Sequence, residues 1–375
     1  MTTFAAASKS FGFELARRLA GAGSGNVLIS PLSAQLALAM AGVGARGPTQ
    51  RAILDALGLN GMDGGQAAAQ AAELSALVTS GACGKVELAN SLWARPGLRL
   101  DPGYVQTIAA SFRGQARTLD FSSPSAPDTI NGWVADATHG TIRSIVRGQI
   151  PAGVLLYLLN ATYFHGDWQT PFDAGATRPG SFHLTAGAPV QVPLMTRTGR
   201  FDYGEGPGFQ AVALPYAGTS LRMLVVLPAD GQGAPALDSY LDTGRFDAVT
   251  AAVRGGRQGT LRLPRFRIDE DAQLRPALSA MGMGQAFGSG ADFSGILPGC
   301  THDCSISEVH QKTHIDVDEA GTTAAAVTQV AISLTARRDV EPPFQMVVDR
   351  PFLVAIQDTR SGALLFLGAI ADPAG

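Results

Sequence analysis

The amino-acid sequence predicts an α+β fold, and three observations carry the prediction. Helix-period apolar patterns gather in the early part of the 375 residues, period-two patterns dominate from about residue 180, and a nearly unbroken apolar run, Val154 to Phe164, lies between them. Helices first and strands later fit segregated layers better than a repeated strand–helix alternation.

Each element has its own local reason. Residues 3–21 place Phe4, Phe11, Phe13, Leu15 and Leu19 at helical spacing. Ser30-Pro31-Leu32-Ser33 opens a second helix to about Val43, with Ser30 as the expected cap and Pro31 in the first helical position. Residues 49–58 and 66–80 read as further short helices. Val86 to Trp93 reads as a strand and Pro102 to Arg113 as a helix. Over Ala126 to Thr138 a helix lines up Ile130, Trp133, Val134 and Ala137. Val154 to Phe164 is apolar on both alternating faces, so a central strand covered on both sides is expected. Strands follow at 190–195, 209–215, 219–227 and 260–268, then a helix at 271–281, then strands at 306–317, 344–348, 351–358 and 363–369.

Composition excludes several functions. A 46% hydrophobic content supports a large core, and a net charge of −3 offers no footprint for nucleic acid. No uncharged apolar run approaches the roughly 18 residues of a membrane helix, so no membrane partner is expected. Met1 to Ser10 lacks the basic head and apolar stretch of a signal peptide. The compartment is therefore unknown: cytoplasmic by default, secreted if a leader has been removed. Cys300 and Cys304 flank His302 but lack the second ligand pair of a zinc site, which leaves ordinary thiols or a local disulfide. No metal and no cofactor is expected.

Two motif matches are decoys. Gly42-Val43-Gly44-Ala45-Arg46-Gly47 has the dinucleotide glycine spacing, but a helix precedes it where a strand is needed, so it reads as a helix-ending turn. Asn160-Ala161-Thr162 is a glycosylation sequon in form only, because it lies inside the apolar strand. No phosphate loop, zinc-protease helix or serine-nucleophile elbow is present.

The segment from Asp318 to Ser333 is the most informative. Thr322, Ala324, Ala326, Thr328, Val330 and Ile332 would share one face of a strand, and Thr323, Ala325, Val327, Gln329, Ala331 and Ser333 the other. One face is small or apolar throughout, the opposite face is small and partly polar, and neither carries a charge. Such a segment suits late entry into a closed space.

Taken together, these segments resemble the serpin family, the serine protease inhibitors, of a prokaryote-like, inhibitory type. The resemblance runs through Asn26-Val27-Leu28-Ile29-Ser30-Pro31-Leu32-Ser33, Asn131-Gly132-Trp133-Val134 with Thr138-His139-Gly140-Thr141-Ile142, and Asn160 to Trp168. It continues through Leu263-Pro264-Arg265-Phe266, Ala291 to Ile296, Asp349-Arg350-Pro351-Phe352-Leu353 and Leu365 to Ile370. These segments follow the family's order over almost the whole chain. The resemblance implies a single serpin domain over 1–375, with about eight or nine helices and three β-sheets. A reactive-centre loop over about 319–343 would be exposed near the C-terminus. It further implies a metastable fold and a suicide substrate: a target protease cuts the loop, is held as an acyl-enzyme, and the freed segment enters the large sheet as a strand. Reactive-loop insertion of this kind is an established form of strand addition.

The same resemblance assigns residues. Glu319, Gly321, Thr322, Thr323, Ala324, Ala325 and Ala326 form the hinge, which has no Pro and no charge after Glu319. Ser30, Ser33 and Asn160 match a buried hydrogen-bonding cluster behind the opening strands. Gln311 stands where the family often has His, and is expected to face inward with His310 on the opposite face. Glu319, Arg265 and Trp168 match an ion pair and an aromatic ring that hold the hinge. The family's spacing from Glu319 puts the reactive bond at Thr335-Ala336, which suits elastase-like or subtilisin-like proteases. Because this segment is longer than usual, Arg337 and Arg338 are rival sites for a trypsin-like target. A serine protease is the expected partner, with cysteine proteases as a further class, and a monomer is expected. Residues 66–83 carry no basic side chain, so no polyanion activator is expected. The alternatives are a non-inhibitory serpin acting as a binding or chaperone-like protein, and a hydrolase with an unrecognised site.

Overall fold

The computed structural model describes residues 3–21, 25–82, 86–97, 99–151, 153–229, 237–298, 304–322 and 342–374. The N-terminal region is helical. α1 (Thr3–Ala20) buries Phe4, Phe11, Phe13 and Leu15. α2 (Pro31–Gly44) is buried on nearly every side, as its lack of charge allows. Ser30 holds the extended backbone of a capping residue, but its side chain makes no capping bond. The glycine-spaced segment is the junction between α2 and α3 (Gly47–Ala56), and a β-carbon on Gly44 would lie 2.1 Å from Ile296. α4 (Gly64–Ala82), α5 (Pro102–Phe112) and α6 (Ala126–Ala137) follow.

The described strands form two hydrogen-bonded sheets. The seven-stranded sheet runs β3 (Gln115–Thr118), β2 (Val86–Ala94), β4 (Leu156–Phe164), β12 (Ile306–Val317), β13 (Gly321–Thr322) and β5 (Gly166–Asp167), with β11 (Phe266–Gln273) on β12. The nine-stranded sheet runs β1 (Val27–Ile29), β16 (Leu364–Ile370), β15 (Phe352–Asp358), β9 (Leu221–Pro228), β8 (Phe209–Pro215), β7 (Val190–Gly206), β10 (Arg254–Pro264) and β14 (Phe344–Val347), with β6 (Arg178–Phe182) on β7. Three sheets were expected. The 17-residue β7 pairs with β6, β8 and β10, and so joins two of them into one continuous ladder.

β4 is covered on both faces. Leu156, Leu158 and Phe164 join the main core, while Tyr157, Leu159 and Ala161 join a second cluster with Ile130 and Val134 of α6. Two expected boundaries are corrected. The expected strand over 260–268 is two strands in different sheets, broken at Arg265 after Pro264. The expected helix over 271–281 is a strand as far as Gln273, and only α8 (Arg275–Ala280) is helical. There Phe266, Ile268 and Ala272 face inward at period two, which outweighs the helical reading. The sequence reading missed β3, β6 and α7 (Thr243–Ala252), which begins at a capping Asp242.

Candidate hinge and strand slot

β12 ends at Val317, and the chain reverses over Asp318 to Ala320. The Asp318 carboxylate accepts the N–H of Ala320 (2.9 Å) and of Gly321 (3.0 Å), which closes the turn. The chain then returns as β13, antiparallel to Val317 on one side and to Gly166 and Asp167 on the other. Gly321 is required by this close approach, since a β-carbon there would lie 2.2 Å from the Gly166 carbonyl oxygen. Thr322 is fully buried, and its Oγ1 lies 2.8 Å from the Tyr216 hydroxyl. Burial pushes the Tyr216 phenol far up, so it stays neutral. Tyr216 also stacks on Trp168 at 4.6 Å and meets the edge of Phe164.

Glu319 anchors the turn. Its Oε1 accepts from Arg265 Nη2 (2.6 Å) and Thr177 Oγ1 (2.5 Å), and its backbone carbonyl accepts the Phe172 N–H. Burial raises the affinity of this carboxyl for a proton, but the Arg265 and Thr177 hydrogen bonds outweigh it and hold the group below the usual carboxylate range. Arg265 reaches Glu319 from the crossing between β10 and β11. Trp168 completes the clamp: its indole N–H donates to the Asp318 carbonyl at 2.9 Å, and its backbone N–H donates to Ala320.

Below the hinge a buried row of amides crosses three strands, β2, β4 and β12. The Gln311 carboxamide accepts the Ser30 N–H (3.0 Å) and donates to both the Ser30 carbonyl (3.1 Å) and Asn160 Oδ1 (2.5 Å). Asn160 Nδ2 donates to Ser33 Oγ and to Asn90 Oδ1, the latter at 2.7 Å. All five residues are buried. Gln311 faces the main core, and His310 lies on the other face against the ring of Tyr157. The Ser30 hydroxyl has no partner among the described residues, so Ser30 acts through its backbone.

The amide row lies within the seam, two residues short of its hinge end. β4 and β12 pair in parallel from Leu156–Ile306 to Thr162–Thr313, although β2 on one side and β11 on the other are antiparallel to them. Beyond Thr313 the ladder ends, and there β13 occupies the gap.

The structure thus brings Glu319, Gly321, Thr322, Trp168 and Arg265 together in one cluster and Ser30, Ser33, Asn160 and Gln311 in another. Thr323, Ala324, Ala325, Ala326, Thr335, Ala336, Arg337 and Arg338 lie outside the described residues. Cys304 is disulfide-bonded, and the other two cysteines, Cys83 and Cys300, also lie outside. No cluster of metal-ligating side chains occurs among the described residues. The sequence reading missed Tyr216, Thr177, Asp318 and Asn90. Asn90 carried a signal, an amide inside an apolar strand. Tyr216 and Thr177 are brought in from distant segments and carried none.

Comparison with known proteins agrees with this geometry. Residues 6–373 match the family model described as Serpin (serine protease inhibitor), and the chain belongs to the serpin family. It is 35% identical over 370 residues to a serpin-like protein of Thermococcus kodakarensis, covering 98% of this chain and 85% of that protein. It is 31% identical to human neuroserpin over 360 residues, covering 93% and 86%. The crystal structure of mouse protein-Z dependent protease inhibitor matches with a TM-score of 0.87 at 26% identity, covering 99% of this chain and 97% of that one.

Proposed function

We propose that this serpin is an irreversible suicide-substrate inhibitor of serine proteases. One observation carries the reading: the seam between β4 and β12 is parallel, and the hinge already enters its open end as an antiparallel strand. A segment continuing from Thr322 would run antiparallel to both neighbours. Its entry would replace one parallel ladder with two antiparallel ones, the more stable pairing per residue. Thr322 sets the register, so the face of Ala324, Ala326, Thr328, Val330 and Ile332 would follow it into the core.

The chemistry begins in the loop. The protease nucleophile attacks the Thr335 carbonyl carbon, an ester forms, and the Thr335–Ala336 amide breaks with the proton passing to the Ala336 amine. The freed end then follows the hinge into the seam and carries the acylated protease with it before water can cleave the ester. A cut after Arg337 or Arg338 would instead select trypsin-like enzymes.

The test is incubation with subtilisin, elastase and trypsin, followed by denaturing gels and intact mass spectrometry. A covalent band near the summed mass is expected with an elastase-like or subtilisin-like enzyme. The released C-terminal peptide should begin at Ala336. Cleavage with no covalent band and no gain in heat stability would select the non-inhibitory reading.

A further inference from the structure

We propose that the cleft between the connection following α6 and the outer face of β11 and β12 binds a tetrahedral oxyanion, a phosphate or sulfate group. Period two places Lys312, His314 and Asp316 of β12 on one face, paired across the ladder with Asp271, Asp269 and Arg267 of β11. Residues 140–144 and this face together line a cleft of about 610 Å3. Three cations, Lys312, Arg267 and Arg143, lie on the lining against two carboxylates, Asp269 and Asp316. Asp269 is already engaged: its Oδ1 lies 2.8 Å from His314 Nδ1, and its Oδ2 accepts from Arg267 Nε at 3.4 Å.

The donors on this lining are short of acceptors. Lys312 is the clearest case. Its side chain is only 14% exposed, yet the nearest carboxylate, Asp271, stands 3.8 Å away, beyond hydrogen-bond reach. The ammonium makes no hydrogen bond among the described residues. A largely buried charge without acceptors is costly, and an anion in the cleft removes that cost. Arg143 and Ser144 add donors from the other wall. Thr138 Oγ1 accepts the Ile142 N–H (3.0 Å), and Asn131 Oδ1 accepts those of Ile145 (2.9 Å) and Val146 (3.0 Å). The chain is thus pinned on both sides of Arg143 and Ser144, whose own N–H groups have no acceptor among the described residues. Ser144 Oγ has no partner there either, and Arg143 uses only its Nε, on the Gly140 carbonyl at 3.4 Å.

The placing of these donors dictates the ligand's shape. Lys312 and Arg267 stand on adjacent strands of the sheet, and Arg143 and Ser144 on the connection that faces them. Donors on two sides favour a tetrahedral group with three terminal oxygens over a planar carboxylate with two. Guanidinium groups match phosphate oxygens in pairs, and an ammonium adds a point charge. The cleft also has room for an organic body beside the anion, against the buried Ile142. The site belongs to the folded body of the protein and does not depend on the loop chemistry proposed above.

The test titrates inorganic phosphate, phenyl phosphate and phenyl sulfate into the intact protein by NMR at constant ionic strength, with benzoate as the planar control. Saturable binding about tenfold tighter than benzoate is expected for the tetrahedral anions. Tighter binding of an ester than of inorganic phosphate assigns the cleft to esters, and equal binding assigns it to the free anion. Lys312→Met keeps the length of the side chain without its charge and should weaken binding about tenfold or more. Arg143→Glu, at an exposed position, should weaken it by about as much. Arg200→Ala removes a cation from β7 in the other sheet and should leave binding unchanged. No saturable binding, equal binding of benzoate, undiminished binding in both Lys312→Met and Arg143→Glu, or an equal loss in Arg200→Ala overturns the site.

Discussion

Thr322 has no accessible surface and one hydroxyl partner, Tyr216. A charge there must enter an apolar, hydrogen-bonded corner, at a cost of several kcal/mol. In Thr322→Arg the first step of entry is slowed, so deacylation wins. The expected outcome is a stoichiometry of inhibition raised about tenfold or more, measured by titrating active protease, with cleavage still occurring. Gln311 is the second decisive residue. Gln311→Leu leaves the Ser30 N–H and Asn160 Oδ1 unpaired, and a loss of about 2–5 kcal/mol in urea unfolding is expected. Gln311→His keeps one acceptor for Ser30 and costs less. That variant should lose stability as pH falls below about 6.5, because a charged imidazole cannot accept the Ser30 N–H. The wild type lacks this titration.

At the scale of elements, the clamp around the turn from β12 to β13 is pH-sensitive. Burial pushes the Glu319 carboxyl up, but Arg265 and Thr177 more than compensate and hold it below its ordinary value of 4.5. A lowered native value means the contribution is complete above about 4.5 and is lost as pH falls through the native value. Protection against hydrogen exchange at residues 318–322, taken relative to the intrinsic rate at each pH, should therefore fall on acidification in the wild type. In Glu319→Gln protection should be low already and change little. The clamp was legible in part. Glu319, Arg265, Trp168 and Gly321 follow the family's pattern, while the close approach of Gly166 that demands Gly321 shows only in the structure. Thr177 and Phe172 come from an irregular stretch whose residues have no periodicity, so nothing local pointed to them. The boundary at Arg265 did leave a trace. The apolar alternation slips by one residue at Pro264, from Leu261 and Leu263 to Phe266 and Ile268, and the reading of one continuous strand passed over it.

At the scale of the whole molecule, α1 to α6 and most strands were legible because their faces are consistently apolar or consistently polar. The pairing partners were not. Period-two patterning marks a strand's faces but not its neighbours, so the parallel seam between β4 and β12 was invisible to it. The seam leads to a global expectation. Protein cleaved once between residues 323 and 341 should melt far above the intact form, by about 20 °C or more if ten or so new backbone bonds form. Calorimetry of the two forms decides this, and coincident melting would remove the basis for the proposed function.

The reversal over Asp318 to Ala320 has a mechanical consequence. Because the chain doubles back on β12, a load pulling on the loop meets the hinge bonds in series, like a zip fastener, instead of shearing a whole ladder at once. Progress in either direction then depends on the rung at the slider, which is Thr322 against Val317 at the start. On the proposed mechanism, the speed of capture is set at that first rung, and the depth of the final trap by the many rungs behind it. The two can therefore be tuned by different residues.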